Sequence, residues 1–201
     1  MRKVVFLDRH HSGKPHNPLD RGAWGDLDQN GRTGLEETEA MLTARYLWYC
    51  ELKLIQKGFA VLPICDGRYS ARHDRVNGYC RSMDIPIAVY VAAHINAGGG
   101  EYGACFHDWR SEQGERLARR VAAQLNMACV ELSKVVVAPA SHDARQNALA
   151  TIEGIYEGRA VGLCFEPFFL DSLEHGRLAT EEGLRLVGES LARGIVSYFE
   201  G

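Results

Sequence analysis

The sequence has no closely spaced pair of cysteines. No two of its six cysteines stand in a CxxC motif, and no export signal precedes them. Thiols in a chain that is not exported stay reduced, and they pack well in an apolar interior. We therefore expect no disulfides and expect the six cysteines to be core residues: Cys50, Cys65, Cys80, Cys105, Cys129 and Cys164.

The chain also lacks an excess of positive charge. It has 23 Lys and Arg against 26 Asp and Glu, a net charge of -3. Nucleic acids and anionic membranes usually bind basic surfaces, so neither is an expected partner.

The first residues, MRKVVFLDRHHSG, reach charged side chains before any long apolar run. This start predicts neither a signal peptide nor a membrane span, and hence synthesis in the cytoplasm.

Internal repeats, Ser/Pro-rich linkers and low-complexity segments are missing as well. A chain of 201 residues with 46% hydrophobic and 24% charged residues has the composition of an ordinary globular domain. We therefore expect a single domain over residues 1–201, acting as a monomer.

What the sequence does contain is a series of apolar runs that alternate with helical segments. The run IPIAVYVAA is almost continuously apolar, as is typical of a central parallel strand covered on both faces. This alternation predicts an α/β fold, with a mostly parallel twisted sheet and helices on both faces. The predicted strands cover residues 4–7, 59–64, 85–93, 135–138 and 161–165, and the predicted helices cover 36–57, 70–83, 112–125 and 180–199.

Three of the predicted strands are followed by side chains suited to metal chemistry. His11, His94 and Glu166 each lie at or just beyond the carboxyl end of a strand. In open α/β sheets, ligands bind at this edge. Catalytic zinc usually takes three protein ligands from histidines and carboxylates and leaves a fourth position open. These strand ends therefore indicate a candidate metal site.

The order of the motifs around these residues resembles a known enzyme family. LDRHHSG, a glutamate that opens a helix, VAAHINAGGGEYG, LCFEPFF and a closing helix follow one another as in the amidase-3 family of zinc-dependent N-acetylmuramoyl-L-alanine amidases. The resemblance covers nearly the whole chain. It implies cleavage of the amide between N-acetylmuramic acid and L-alanine in bacterial peptidoglycan, in the manner of a phage endolysin that lyses the host cell. No separate wall-binding domain is expected.

Two zinc ligands follow from this resemblance. The family's opening motif, roughly Asp-Pro-Gly-His-Gly, matches residues 8–12, although the family's Pro and Gly are absent here and residues 8–12 read DRHHS. The match places a ligand at His11, with His10 as the alternative. The family's Ser-Ile-His-x-Asn-Ala pattern and its glycine-rich turn match residues 92–103 and place the second ligand at His94.

The third zinc ligand is a glutamate at the start of the first helix, and two candidates remain. In the family it lies nineteen residues before the glycine that ends the helix, and a set of apolar positions between them forms the buried face. Counting from Glu39 reaches Gly58 and finds Leu42, Tyr46, Leu47, Cys50 and Leu54 at those positions. Counting from Glu36 instead gives the better local match to the family's helix, in the run through Ala44, Arg45 and Leu47. Glu39 is favoured, and Glu36 is the alternative.

The resemblance also implies a catalytic residue. Glu166 and the Pro-Phe-Phe that follows it are similar to the family's Val-Glu-x-x-Phe stretch, which supplies the catalytic acid.

Two alternatives remain for the function of the whole chain. One is a zinc hydrolase acting on another amide or peptide, and the other is an inactive wall-binding or calcium-binding module on the same fold.

A second metal motif lies before the first helix. Residues 26–37 match a calcium loop, with Asp or Asn at positions 1, 3 and 5, glycine at position 6 and glutamate at position 12. Thr33 stands where an apolar β-branched residue is usual, and no helix is predicted before the loop. A polar turn is the alternative. The predicted calcium ligands are Asp26, Asp28, Asn30, the carbonyl of Arg32, and Glu37.

Overall fold

A computed structural model describes residues 3–9, 11, 22–23, 38–141, 148–156 and 159–201. These residues form one six-stranded sheet with helices on both faces. The strands are β1 (Val4–Arg9), β2 (Ala60–Ile64), β3 (Ala88–Ala93), β4 (Tyr102–Asp108), β5 (Lys134–Ala140) and β6 (Ala160–Glu166). The helices are α1 (Glu39–Gln56), α2 (Tyr69–Ser82), α3 (Glu112–Ala128), α4 (Glu153–Tyr156) and α5 (Glu181–Glu200).

The sheet has the strand order β2-β1-β3-β6-β4-β5. The first four strands in this order are parallel, while β4 runs antiparallel to β6 and parallel to β5. The predicted α/β fold with a mostly parallel sheet is therefore confirmed. The carboxyl ends of β1, β3 and β6 meet at one edge of the sheet, because these three strands are parallel neighbours.

The sequence did not predict β4. Its residues, YGACFHD, mix glycine, histidine and aspartate with apolar side chains and directly follow a glycine-rich turn. They lack both the alternation and the unbroken apolar run that indicate a strand. Pairing with β5 on one side and β6 on the other nevertheless holds this segment in the sheet. Tertiary pairing has outweighed local sequence preference here.

The central strands are buried on both faces. Along β1, Val5 and Leu7 face the helices α1, α3 and α5, whereas Val4 and Phe6 face α2 and α4. Burial on both faces explains why the central strands are continuously apolar in sequence. The outer strands β2 and β5 are only partly buried, and each contains a proline, Pro63 and Pro139 respectively.

The first helix begins later than predicted. Thr38 has an extended backbone, and its side chain accepts a hydrogen bond from the Met41 amide at 3.4 Å, so α1 begins at Glu39. Gly58, with φ of 80°, follows the end of the helix in the left-handed conformation that favours glycine. The helix therefore presents Glu39 in its first turn, at the edge of the sheet where β1 and β3 end.

The six cysteines are free, and five are buried as expected. Cys65 is exposed, because it lies in the connection that follows β2 rather than inside an element, so the prediction of a core position was wrong there.

In the described ranges, no helix has the length and apolar character needed to cross a membrane. His10, Glu36 and the five predicted calcium ligands, Asp26, Asp28, Asn30, Arg32 and Glu37, lie outside the described residues.

Candidate metal centre

Three side chains meet at the carboxyl edge of the sheet. His11 lies two residues beyond β1, His94 directly follows β3, and Glu39 is the first residue of α1. Oε1 of Glu39 lies 3.2 Å from Nε2 of His11 and 2.9 Å from Nδ1 of His94. The two imidazole rings are 5.1 Å apart between centroids and nearly perpendicular.

This spacing suits a single ion. One ligand atom from each of the three residues lies within 4.8 Å of the other two. Ligands bound tetrahedrally to zinc at about 2.0–2.2 Å from the metal lie roughly 3.3–3.6 Å from one another. The two distances between the carboxylate oxygen and the imidazole nitrogens, 3.2 and 2.9 Å, are close to that range, and the distance between the two nitrogens is at most 4.8 Å. The group formed by His11, Glu39 and His94 can therefore hold a metal ion, and it will be called the metal centre.

The protein backbone fixes the carboxylate of Glu39. The amide of Ala23 donates to Oε2 at 2.9 Å, and the amide of Ile95 donates to Oε1 at 3.1 Å. A side chain at Gly22, which has φ of 72°, would collide with this carboxylate, so glycine is required there. Burial raises the pKa of Glu39, but the hydrogen bonds from His11 and His94 and the charges of both histidines together lower it by more, so the net shift is downward. The carboxylate is thus held ionised, as a metal ligand must be.

The backbone of His94 is fixed from two sides. Its amide donates to the carbonyl of Phe165 on β6 at 2.9 Å. Its carbonyl accepts a hydrogen bond from the hydroxyl of Tyr46 at 2.9 Å. Tyr46 is fully buried on α1, two turns after Glu39, so one helix supports two members of the metal centre.

Glu166 ends β6 and lies beside the metal centre. The preceding residue, Phe165, accepts the hydrogen bond from the His94 amide. Burial raises the pKa of Glu166; the nearby His94 lowers it and the negative charge of Glu39 raises it, and the net shift is upward. The thiol of Cys164, two residues earlier on the same strand, lies 3.9 Å from Oε1. A carboxyl group with a raised pKa next to a metal centre is suited to proton transfer.

The loops after β3 and β6 are joined along their length. The amide of Asn96 donates to the carbonyl of Phe168 at 2.9 Å, and the amide of Leu170 donates to the carbonyl of Asn96 at 2.8 Å. One carboxylate oxygen of Asp171 accepts from the amides of Gly98 and Gly99, at 2.8 and 3.0 Å. These bonds hold the glycine-rich turn next to His94. Sequence reasoning missed Asp171, because 72 residues separate it from Gly99 and no motif marks it.

The structure thus brings together His11, Glu39 and His94 and places Glu166 beside them. Between the two candidate glutamates, it places Glu39 at the histidines, while Glu36 is not described.

Comparison of the sequence with family models and with curated proteins gives no match. Comparison of the fold with solved structures gives several.

The chain is 18% identical to an N-acetylmuramoyl-L-alanine amidase from Clostridium difficile 630, with a TM-score of 0.73, covering 100% of this chain and 98% of that one. It is 16% identical to the catalytic domain of the CD27L endolysin targeting Clostridia difficile, with a TM-score of 0.65 and 98% of both chains covered. With Cwp6 from Clostridium difficile the TM-score is 0.73 and the identity 16%, covering 98% of this chain, which spans 29% of the length of Cwp6. The protein therefore has the α/β fold seen in structures of N-acetylmuramoyl-L-alanine amidases.

Proposed function

We propose that this protein is a zinc-dependent N-acetylmuramoyl-L-alanine amidase that acts on bacterial peptidoglycan. The observation that carries this proposal is the convergence of His11, Glu39 and His94 at the carboxyl edge of a sheet whose fold is that of known amidases. We further propose that residues 1–201 form one catalytic domain that works as a monomer.

The donor set of the metal centre favours zinc. Two imidazole nitrogens and one carboxylate oxygen form a ligand set used by catalytic zinc, which leaves a fourth position for the reaction. Hard cations such as magnesium and calcium prefer sites made of oxygen ligands alone. Bound zinc would act as a Lewis acid. It would lower the pKa of water so that a hydroxide nucleophile is available at neutral pH, and it would polarise an amide carbonyl.

The remaining steps fall to side chains of the protein. Glu166 would accept a proton from the attacking water at a carboxylate oxygen and return it to the nitrogen of the departing L-alanine. An amide nitrogen must be protonated to leave, because the amine anion is too basic. The raised pKa of Glu166 supports this role, since the group has to take up and release the same proton within one turnover. His11, Glu39 and His94 would hold the metal throughout.

Digestion of purified peptidoglycan tests the proposal. The zinc-loaded protein is expected to release new L-alanine amino termini without producing reducing sugar ends or new amino termini inside the stem peptide. Incubation with a chelator should abolish the release, and added zinc should restore it. Amino termini from any other residue would point to a peptidase. Absence of all products from several wall types, with zinc bound, would indicate a binding module.

A role as a phage endolysin in host-cell lysis is also proposed. It is supported by the fold shared with the catalytic domain of the CD27L endolysin. Expression together with a pore-forming membrane protein should lyse bacterial cells whose isolated walls the purified protein digests. Intact cells under these conditions would contradict the lytic role while leaving the amidase proposal standing.

Calcium binding by residues 26–37 is proposed from the sequence motif alone. Binding to the folded state only would stabilise it by about 2.7 kcal/mol at a hundredfold excess of calcium over the dissociation constant. Millimolar calcium is therefore expected to raise the melting temperature of the wild type by several degrees and to have little effect on an Asp26→Ala, Asp28→Ala variant. An equal rise in both proteins would show that the motif is only a polar turn.

A further inference from the structure

A buried polar cluster lies in the sheet behind the metal centre. It consists of Asp8 on β1, Arg72 on α2 and Tyr90 on β3, and each of the three is fully buried. Nη1 of Arg72 makes an ion pair with Oδ1 of Asp8. The hydroxyl of Tyr90 donates to the other oxygen, Oδ2, at 2.5 Å. The single carboxylate of Asp8 thus connects two strands and a helix.

The cluster connects the two segments that carry the histidines. Asp8 precedes His11 by three residues, and Tyr90 precedes His94 by four. In the register of β1 with β3, Asp8 lies opposite Ala92, so Tyr90 is its diagonal neighbour on the same face of the sheet. The contact between Asp8 and Tyr90 therefore joins the two strands close to the ends that lead to the histidines.

Arg72 also holds the backbone just before His11. Its Nη1 lies 3.4 Å from the carbonyl of Arg9, the last residue of β1, and its Nε donates to the carbonyl of Gly67 at 2.9 Å. The guanidinium group thereby ties the end of β1 to the turn before α2. This support lies on the face of the sheet opposite to α1, which supplies Glu39.

Stability alone is a poor explanation for the cluster. Taking an aspartate and an arginine out of water costs a large free energy. A protein in which well-packed apolar residues of similar volume replace such a pair is therefore often at least as stable. Groups that hold metal ligands in place, in contrast, are typically hydrogen-bonded polar residues behind those ligands. The cluster has this character, and it lies on the two strands that lead to two of the three proposed ligands.

We infer that Asp8, Arg72 and Tyr90 are positioning residues that set the separation of His11 and His94. The inference rests on the proposed metal-dependent function, since it concerns the ligands of that metal. None of the three residues belongs to the metal centre formed by His11, Glu39 and His94. The cluster acts by fixing the ends of β1 and β3 relative to each other.

Tyr90→Phe is the most selective test. It removes one hydroxyl and keeps the ring, which packs edge to face against His73 with centroids 5.6 Å apart. We expect zinc to bind up to about 10-fold more weakly, the lower end of the loss associated with groups bonded directly to a metal ligand, because Tyr90 is one contact further from the ligands. Zinc affinity is measured by chelator competition well below the melting temperature. The absorption spectrum of the cobalt-substituted protein reports the geometry of the ligands and should also change.

Tyr198→Phe is the matched control. Tyr198 is a buried tyrosine whose hydroxyl donates to Gln113 at 3.1 Å, in the contact between α5 and α3, so the same atom is lost from the same kind of residue. Zinc affinity and the cobalt spectrum should stay as in the wild type. If the two variants behave alike in both measurements, the positioning role is wrong. If the wild type itself binds no zinc, the proposed function fails instead, so the two failures are distinguishable.

Discussion

Glu166→Gln is expected to lower kcat by about 10²–10⁴-fold, the usual contribution of a general acid or base, while the protein keeps one zinc ion per chain. Glutamine has nearly the same size and still presents an oxygen to Cys164, so the fold should be unchanged. It cannot accept a proton from water or protonate the leaving nitrogen. Release of L-alanine amino termini, measured together with bound zinc and the melting temperature, checks all three expectations.

Glu115→Gln provides the control for this variant. Glu115 lies on α3 and forms an exposed ion pair with Arg119. The same change of charge and atom type there should leave kcat within a factor of two. A near wild-type kcat for Glu166→Gln would assign proton transfer to another residue. Loss of zinc from that variant would instead show that Glu166 belongs to the metal centre.

Glu39→Gln is expected to lose the metal itself. The change removes the negative charge and leaves a neutral amide, which is a much poorer zinc ligand than a carboxylate. The remaining oxygen can still accept a hydrogen bond from the amide of Ala23 or of Ile95, so the start of α1 should stay in place. We expect zinc affinity to fall by more than the roughly 10–100-fold associated with outer partners, and activity to be lost with it.

Glu36→Gln separates the two candidate ligands. It makes the same chemical change three residues earlier in the chain, at a position outside the described residues. Zinc content and activity should match the wild type. The reverse pattern, in which Glu36→Gln loses zinc and Glu39→Gln retains it, would overturn the ligand set proposed here.

The preference for Glu39 could be obtained from sequence because the first helix has a regular buried face. Counting from Glu39 predicted five apolar residues on that face, and the structure buries every one of them: Leu42, Tyr46, Leu47, Cys50 and Leu54. The choice between residues three apart came from the spacing that the family resemblance implies between the ligand and the glycine after the helix, and helical periodicity turned that spacing into a predicted buried face. The strand ends were predictable for a similar reason, since continuous apolar runs mark buried strands.

Other parts of the site could not be predicted in this way. The contact of Asp8 with Arg72 spans 64 residues, and its contact with Tyr90 spans 82. Asp171 reaches Gly98 across 73 residues. Helical and strand periodicity describe neighbours along one element, and they carry no information about which polar groups meet across the sheet. These contacts depend on which strands are neighbours in the sheet, β1 with β3 and β3 with β6, and the periodicity of single elements does not give that order.

The prolines of the two outer strands affect how the protein behaves at high concentration. Pro63 on β2 and Pro139 on β5 have no amide hydrogen, so neither residue can donate a hydrogen bond to a neighbouring strand. Prolines at sheet borders are one means by which natural proteins discourage strand-by-strand aggregation. Both borders of this sheet carry that protection, so growth into cross-β polymers is disfavoured at either end.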